Sequence, residues 1–114
     1  MESIRQLVDS FNDAWNAHDL DAALGLLTED CVFESTGPAP EGVRYVGRSE
    51  VADAWKPIFE DRTSRFSVEE AFTAGNDRLV QRWFYEWADG HVRGIDVIHV
   101  RDGKIAAKLS YVKG

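Results

Sequence analysis

"HVRGIDVIHVRDGKIAAKLSYVKG", residues 91–114, decides how this chain folds. Its two halves alternate apolar and polar residues at strand spacing, and Asp102-Gly103 joins them. Asp-Gly between alternating runs marks a tight hairpin, because both central residues of a type I′ turn need positive φ. Within the first strand Asp96 lies between Ile95 and Val97. Aspartate is a poor strand former and is almost never buried without a partner. A carboxylate at this place needs a reason.

The same punctuation recurs on the N-terminal side. "RFSVEEAFTA" (65–74) turns at "GND" into "RLVQRWFYEW" (78–87), which turns at Asp89-Gly90 into the opening stretch. A two-residue loop at Asp89-Gly90 sets Ala88 opposite His91, Trp87 opposite Val92, Tyr85 opposite Gly94 and Trp83 opposite Asp96. Side chains alternate along a strand, so Trp83, Tyr85, Trp87 and Asp96 share one sheet face with Lys108, Ser110 and Val112. The other face takes Phe84, Ile95, Val97, Leu109 and Tyr111, with Glu86 opposite Arg93 as a cross-strand ion pair. Both faces are substantially apolar. The chain's own helices can cover only one, and the second predicts a homodimer through Phe84, Ile95, Val97, Leu109 and Tyr111.

Those helices come first in the chain. "SIRQ" (3–6) is a capping box, followed at helical spacing by Ile4, Leu7, Val8, Phe11 and Trp15. Asp19 caps a shorter helix on "LDAALGLL" (20–27), and "CVFES" (31–35) is a short strand. After the Pro/Gly-rich loop "TGPAPEGVRYVG" (36–47), a third helix covers "SEVADAWKPIFED" (49–61), with Val51, Trp55, Ile58 and Phe59 on one side and Pro57 disturbing a turn. Helices followed by a meander predict an α+β fold, helices on one face of a curved antiparallel sheet, in a single domain spanning residues 1–114.

Composition narrows the function classes. Thirteen basic against twenty acidic residues give a net charge of −7, which disfavours nucleic acid and anionic membrane as partners. No apolar run reaches the length of a membrane span, and "MESIRQ" does not read as a signal peptide. The lone Cys31 forms no internal disulfide and reads as a reduced core cysteine of a cytoplasmic protein. His18, His91 and His99 have no metal-motif spacing, and the glycines form no phosphate loop, so neither a metal nor another cofactor is expected.

"FNDAWNAHDLDAALGLLTEDCVFES", "VGRSEVADAW" and above all "RGIDVIHVRDGKIAAKLSYVKG" resemble the SnoaL-like branch of the nuclear transport factor 2-like superfamily. Relatives in that superfamily include ketosteroid isomerase and limonene epoxide hydrolase. The resemblance implies a cone of curved sheet and helices closed around an apolar pocket, usually in a dimer. It also implies a role for Asp96, whose counterpart in ketosteroid isomerase stays protonated and donates to a developing oxyanion. That enzyme's aspartate base and helix tyrosine correspond here to Ser35 and Phe11, so steroid isomerisation is not expected. The epoxide hydrolase's last-strand acid corresponds to Ser110, and its Arg/Asp pair falls in "QRWFYEW". Polyketide cyclases of the SnoaL type likewise use an acid/base group in this pocket.

Two readings of Asp96 follow. It is a structural aspartate hydrogen-bonded to a buried tryptophan or tyrosine, or it is an acid/base group assisted by Tyr85. Glu34 and Glu70 are the available carboxylate partners, with Glu34 phased outward, and an inward Lys108 would pair with Asp96 instead. Phe11, Trp15, Ser35, Trp55, Phe59, Trp83, Trp87, Lys108 and Ser110 are the candidate ligand-binding residues, the aromatics suiting a flat or apolar molecule. The expected function is binding of a small, mostly apolar organic molecule, with cofactor-free isomerisation, cyclisation or hydration as its catalytic form. The alternative is a non-catalytic ligand-binding or accessory dimerisation module.

Overall fold

A computed structural model describes residues 3–114. Helix α1 (Ile4–Asn16) starts at the expected capping box: Gln6 N donates to Ser3 Oγ (3.1 Å) and Ser3 N to Gln6 Oε1 (2.9 Å). Leu7, Val8, Phe11, Ala14 and Trp15 form its buried stripe. His18, at φ 57°, turns the chain, and Asp19 caps α2 (Leu20–Gly25) by accepting from Ala22 N. That helix stops at Gly25, so Leu26 and Leu27 are not its last turn. Leu27 instead opens strand β1 (Leu27–Glu34), longer than "CVFES", in which Leu27, Cys31 and Phe33 face the core. The Pro/Gly-rich loop carries a short strand of its own, β2 (Arg44–Val46), before α3 (Arg48–Glu60). Helix α3 tolerates Pro57 on its exposed side while Val51, Trp55 and Phe59 are buried.

The remaining strands are β3 (Arg65–Thr73), β4 (Arg78–Trp87), β5 (Gly90–Arg101) and β6 (Lys104–Val112). They form one six-stranded sheet in the order β2-β1-β6-β5-β4-β3. The sheet is antiparallel except at one seam, where β1 runs parallel to β6. Register breaks in the β1–β6, β3–β4 and β5–β6 ladders bend it around the helices. This is the expected α+β arrangement with one parallel pair added. Asn16 ties α1 to the β3 edge: its side chain accepts from Phe66 N (2.7 Å) and donates to Phe66 O (2.7 Å). Among the described residues no helix is long and apolar enough to cross a membrane.

Asp102-Gly103 forms the expected turn, with φ of 54° and 74° between the paired residues Arg101 and Lys104. The β4–β5 hairpin differs. Trp87 pairs with Gly90, so the loop is Ala88-Asp89, and Gly90 is not among the residues at positive φ. The ladder is displaced by two positions from the Asp89-Gly90 expectation. A displacement of two leaves every side chain on its face but changes its neighbour. Trp83 stands opposite Gly94 rather than Asp96, and Gln81 takes the place opposite Asp96. Glu86 is likewise not the partner of Arg93. Arg93 lies opposite Phe84, with its guanidinium 4.8 Å from the ring centroid and 3.4 Å from Glu69.

Gly94 explains why this register is preferred. A Cβ there would lie 2.2 Å from the Tyr111 carbonyl oxygen and 2.5 Å from Trp83 Cζ2. The indole of Trp83 occupies the space that any other residue's side chain would take. Gly94→Ala is therefore expected to destabilise the fold by about 2–3 kcal/mol, since buried ring and backbone must both shift. Urea denaturation measures this, and an unchanged midpoint would mean that Trp83 can leave Gly94 without loss.

Candidate functional site

Strand register places Gln81, Asp96 and Ser110 abreast on β4, β5 and β6, all on the face that the helices cover. Lys108 follows one step along β6 on the same face, opposite Ile98. Asn12 comes down from α1 to complete the row. Its Nδ2 donates to Gln81 Oε1 (2.9 Å), and Gln81 Nε2 donates to Asp96 Oδ2 (2.9 Å). On the other side Ser110 Oγ donates to Asp96 Oδ1 (2.7 Å). Lys108 Nζ donates to Ser110 Oγ at 3.1 Å and lies 3.5 Å from the carboxylate. An ammonium can only donate, so Ser110 accepts from Lys108 and passes its own proton toward Asp96.

All five residues are buried, and Asp96 is wholly so. Both oxygens of its carboxylate receive donors, an arrangement that serves the ionised form. The carboxylate at position 96 thus has its reason: it balances a lysine that the fold carries indoors. Its partners are a lysine, a serine and a glutamine, not a tryptophan or tyrosine. Neither glutamate joins it. Glu34 points outward to Arg44 (2.7 Å), and Glu70 to Arg82 (3.3 Å).

A cleft of about 140 Å³ opens beside this network. Of the expected residues, Trp15, Ser35, Trp83, Tyr85, Lys108 and Ser110 line it. Phe11, Trp55 and Phe59 do not: they pack as core, with Trp55 in ring contact with Phe11, Trp15, Phe33 and Phe59. Trp87 sits outside, against Tyr85. Asp96 also stays outside the wall, behind Lys108 and Ser110. Phe33, Thr36, Ile58, Phe66 and Val92 complete the lining. Alternation through Cys31, Phe33 and Ser35 carried a signal for Phe33, and Phe66 and Val92 are the two residues abreast of Tyr85.

The polar groups of the cleft are few. Lys108 Nζ lies 5.0 Å from the Trp15 ring centroid and 5.3 Å from that of Phe33. Burial, partly offset by the Ser64 hydroxyl, pushes the Tyr85 phenol above its ordinary value, so it remains a neutral donor at physiological pH. Ser35 is already engaged, donating to Gly37 O (2.8 Å) and accepting from Val43 N (3.0 Å). The Trp83 indole N–H is buried without a partner among the described residues. Burial also raises the Cys31 thiol, keeping it in the inert protonated form. No group of three or more His, Cys, Asp and Glu among the described residues is placed to hold a metal ion. A larger hollow, about 540 Å³, lies between the Pro40–Val43 loop and Tyr111, but neither Lys108 nor any tryptophan lines it.

The ion pair can be tested by stability alone. Lys108→Met leaves the Asp96 carboxylate buried and uncompensated, which is expected to cost about 3–5 kcal/mol. Combining it with Asp96→Asn removes both charges and should recover most of that loss. Urea denaturation of the four proteins of this cycle gives the coupling. A double variant no more stable than Lys108→Met would dissolve the pair as a stabilising unit.

A profile described as the SnoaL-like domain matches residues 8–108. None of the curated proteins matches the sequence. Among solved structures, a nuclear transport factor 2-like protein of unknown function from Mesorhizobium loti is 42% identical, with a TM-score of 0.85 over 96% of this chain and 90% of its own. A candidate polyketide cyclase from Pseudomonas putida is 20% identical, with a TM-score of 0.80 over 99% and 93% of the two chains. An epoxide hydrolase/cyclase-like enzyme of pyran ring formation in the polyether salinomycin is 14% identical, with a TM-score of 0.81 over 96% and 89%. The last two share the fold and too little sequence to carry more. With the profile spanning most of the chain and the Mesorhizobium protein aligned over nearly all of it, the chain belongs to the SnoaL-like family of the nuclear transport factor 2-like superfamily.

Proposed function

We propose that the protein binds a small, mostly apolar organic molecule in the cleft between Trp15, Trp83 and Tyr85. The observation that carries this reading is the wall itself: aromatic and aliphatic side chains around a single buried ammonium and a few hydroxyls. Ligand sites are typically apolar hollows with a small number of convergent polar groups. A volume near 140 Å³ suits one six-membered ring, since an apolar cavity of about 150 Å³ accommodates benzene. Titration of ¹⁵N-labelled protein with benzyl alcohol tests it. Shifts centred on Trp15, Trp83, Tyr85 and Val92 are expected at about millimolar concentrations, given the ligand's size. Val92→Trp, which fills the cleft, should abolish them. Shifts elsewhere, or none, would defeat the proposal.

A second reading, cofactor-free proton transfer, has one observation in its favour. Ser110 lines the cleft and is bonded at 2.7 Å to Asp96, so a proton can pass between ligand and carboxylate through a hydroxyl. Asp96 is then the acid/base reservoir, and Tyr85 orients an oxygen of the substrate for isomerisation, cyclisation or hydration. Solvent deuterium exchange into cyclohexanone distinguishes the two readings. A catalyst accelerates exchange, and Asp96→Asn removes the acceleration while ligand binding persists. A binder gives the buffer rate with both proteins.

We also propose that two copies pair through the outer sheet face. Ile95 and Tyr111 are 39% and 59% exposed on that face, next to the half-buried Phe84, Val97 and Leu109. Pairing continues the apolar row from Leu109 through Val97 and Val80 to Phe72, itself 51% exposed. Sedimentation equilibrium should give twice 12.8 kDa at micromolar concentration, and Val97→Asp with Leu109→Asp should give the monomer, because buried unpaired carboxylates cost several kcal/mol. A wild-type monomer, or a dimer indifferent to both substitutions, would refute the pairing.

A further inference from the structure

Among the described residues no carboxylate lines the cleft, although the chain carries seven more acidic than basic charges. Its one charged group is Lys108, only 7% exposed. Of the three protons on that ammonium, Ser110 Oγ and the Asp96 carboxylate take two. The third has no hydrogen-bond acceptor among the described residues. The faces of Trp15 and Phe33 attract a cation through their quadrupoles but offer no lone pair. Asp96 neutralises Lys108 from behind, with both oxygens occupied and no surface toward the cleft. A molecule entering the cleft meets the positive end of this pair and not the negative one.

The other polar groups point the same way. Tyr85 is a neutral phenol able to donate. Ser110 already donates its hydroxyl hydrogen to Asp96 and accepts from Lys108. The charged group a ligand can reach is thus a donor, and the Tyr85 hydroxyl can supply a second. We infer that the cleft takes a single-ring molecule bearing an oxyanion, a carboxylate or an enolate, with that oxygen on Lys108 Nζ. This rests on the cleft being the binding site and goes further by fixing the chemistry of the ligand. Size limits the ring count, and the free ammonium proton fixes the end at which the oxygen lies. A charge-assisted bond to a desolvated ammonium is stronger than a neutral one, so the oxyanion should be preferred over an alcohol of the same shape.

Benzoate and benzyl alcohol, titrated in parallel into ¹⁵N-labelled protein, test the inference. The wild type should bind benzoate at least about tenfold more tightly than the alcohol, a difference that one charge-assisted contact supplies. Lys108→Met combined with Asp96→Asn keeps the interior free of net charge and should erase that preference. Independently of any variant, the Lys108 Nζ resonance of the wild type should move on saturation with benzoate and stay in place with benzyl alcohol. Equal or weaker binding of benzoate, a preference that survives in the double variant, or an unmoved Nζ resonance would overturn the oxyanion assignment while leaving the cleft as a binding site. Binding of neither probe would overturn both.

Discussion

A lysine and an aspartate are paired inside this protein, and much of the fold is arranged around keeping them satisfied. Bringing two charges out of water costs several kcal/mol each, and their attraction repays that only when the remaining donors and acceptors are also met. Asp96 meets the requirement through Gln81, Ser110 and Lys108, and Gln81 in turn through Asn12 on α1. Four secondary-structure elements therefore supply one network. If β5 slid by one residue, Asp96 would move to the outer face and leave a buried ammonium without a counterion. The network thus selects a register more sharply than apolar packing could, because apolar contacts tolerate exchange and charges do not.

The same network divides the aromatic side chains into two populations. Phe11, Trp55 and Phe59 fill the space between helices and sheet, buried, with Trp55 touching both of the others. Trp15 and Phe33 lie at the boundary: each packs on Trp55 and each also turns a face to the Lys108 ammonium. A cation at the edge of an aromatic core limits how far the core can close. The hollow between Trp15, Trp83 and Tyr85 lies where the stacked rings end and the polar row begins.

The architecture was largely legible in the residues. The capping box at Ser3, the Asp19 cap, the Asp102-Gly103 turn and the period-two alternation after residue 65 each reflect a local rule, and each is present. Face assignment along β4, β5 and β6 also held, since it depends only on parity. Neighbours were harder to read, because Asp89-Gly90 carries the signature of a type I′ loop but the chain turns at Ala88-Asp89. The local turn preference is worth less than seating Trp83 over Gly94 and Gln81 against Asp96. Separating core aromatics from lining aromatics was beyond sequence: Trp15 and Trp55 share helical spacing and chemistry, and only the depth of α1 and α3 on the sheet tells them apart. Asp96 was marked as exceptional from sequence, but its place behind Lys108 depends on how two side chains share one strand interval.

The parallel seam between β1 and β6 has a consequence for the order of assembly. Strands β3 to β6 are joined by short turns and can pair as soon as they leave the ribosome. Strand β1 has only the three-residue β2 beside it until β6, some seventy residues downstream, has been made. Until then the β1 edge that β6 will occupy stays unpaired. Closing so long a loop is slow relative to closing hairpins, and chains with unpaired strand edges are the ones that associate wrongly. The N-terminal half of this protein therefore carries an unpaired strand edge until the last strand has been made.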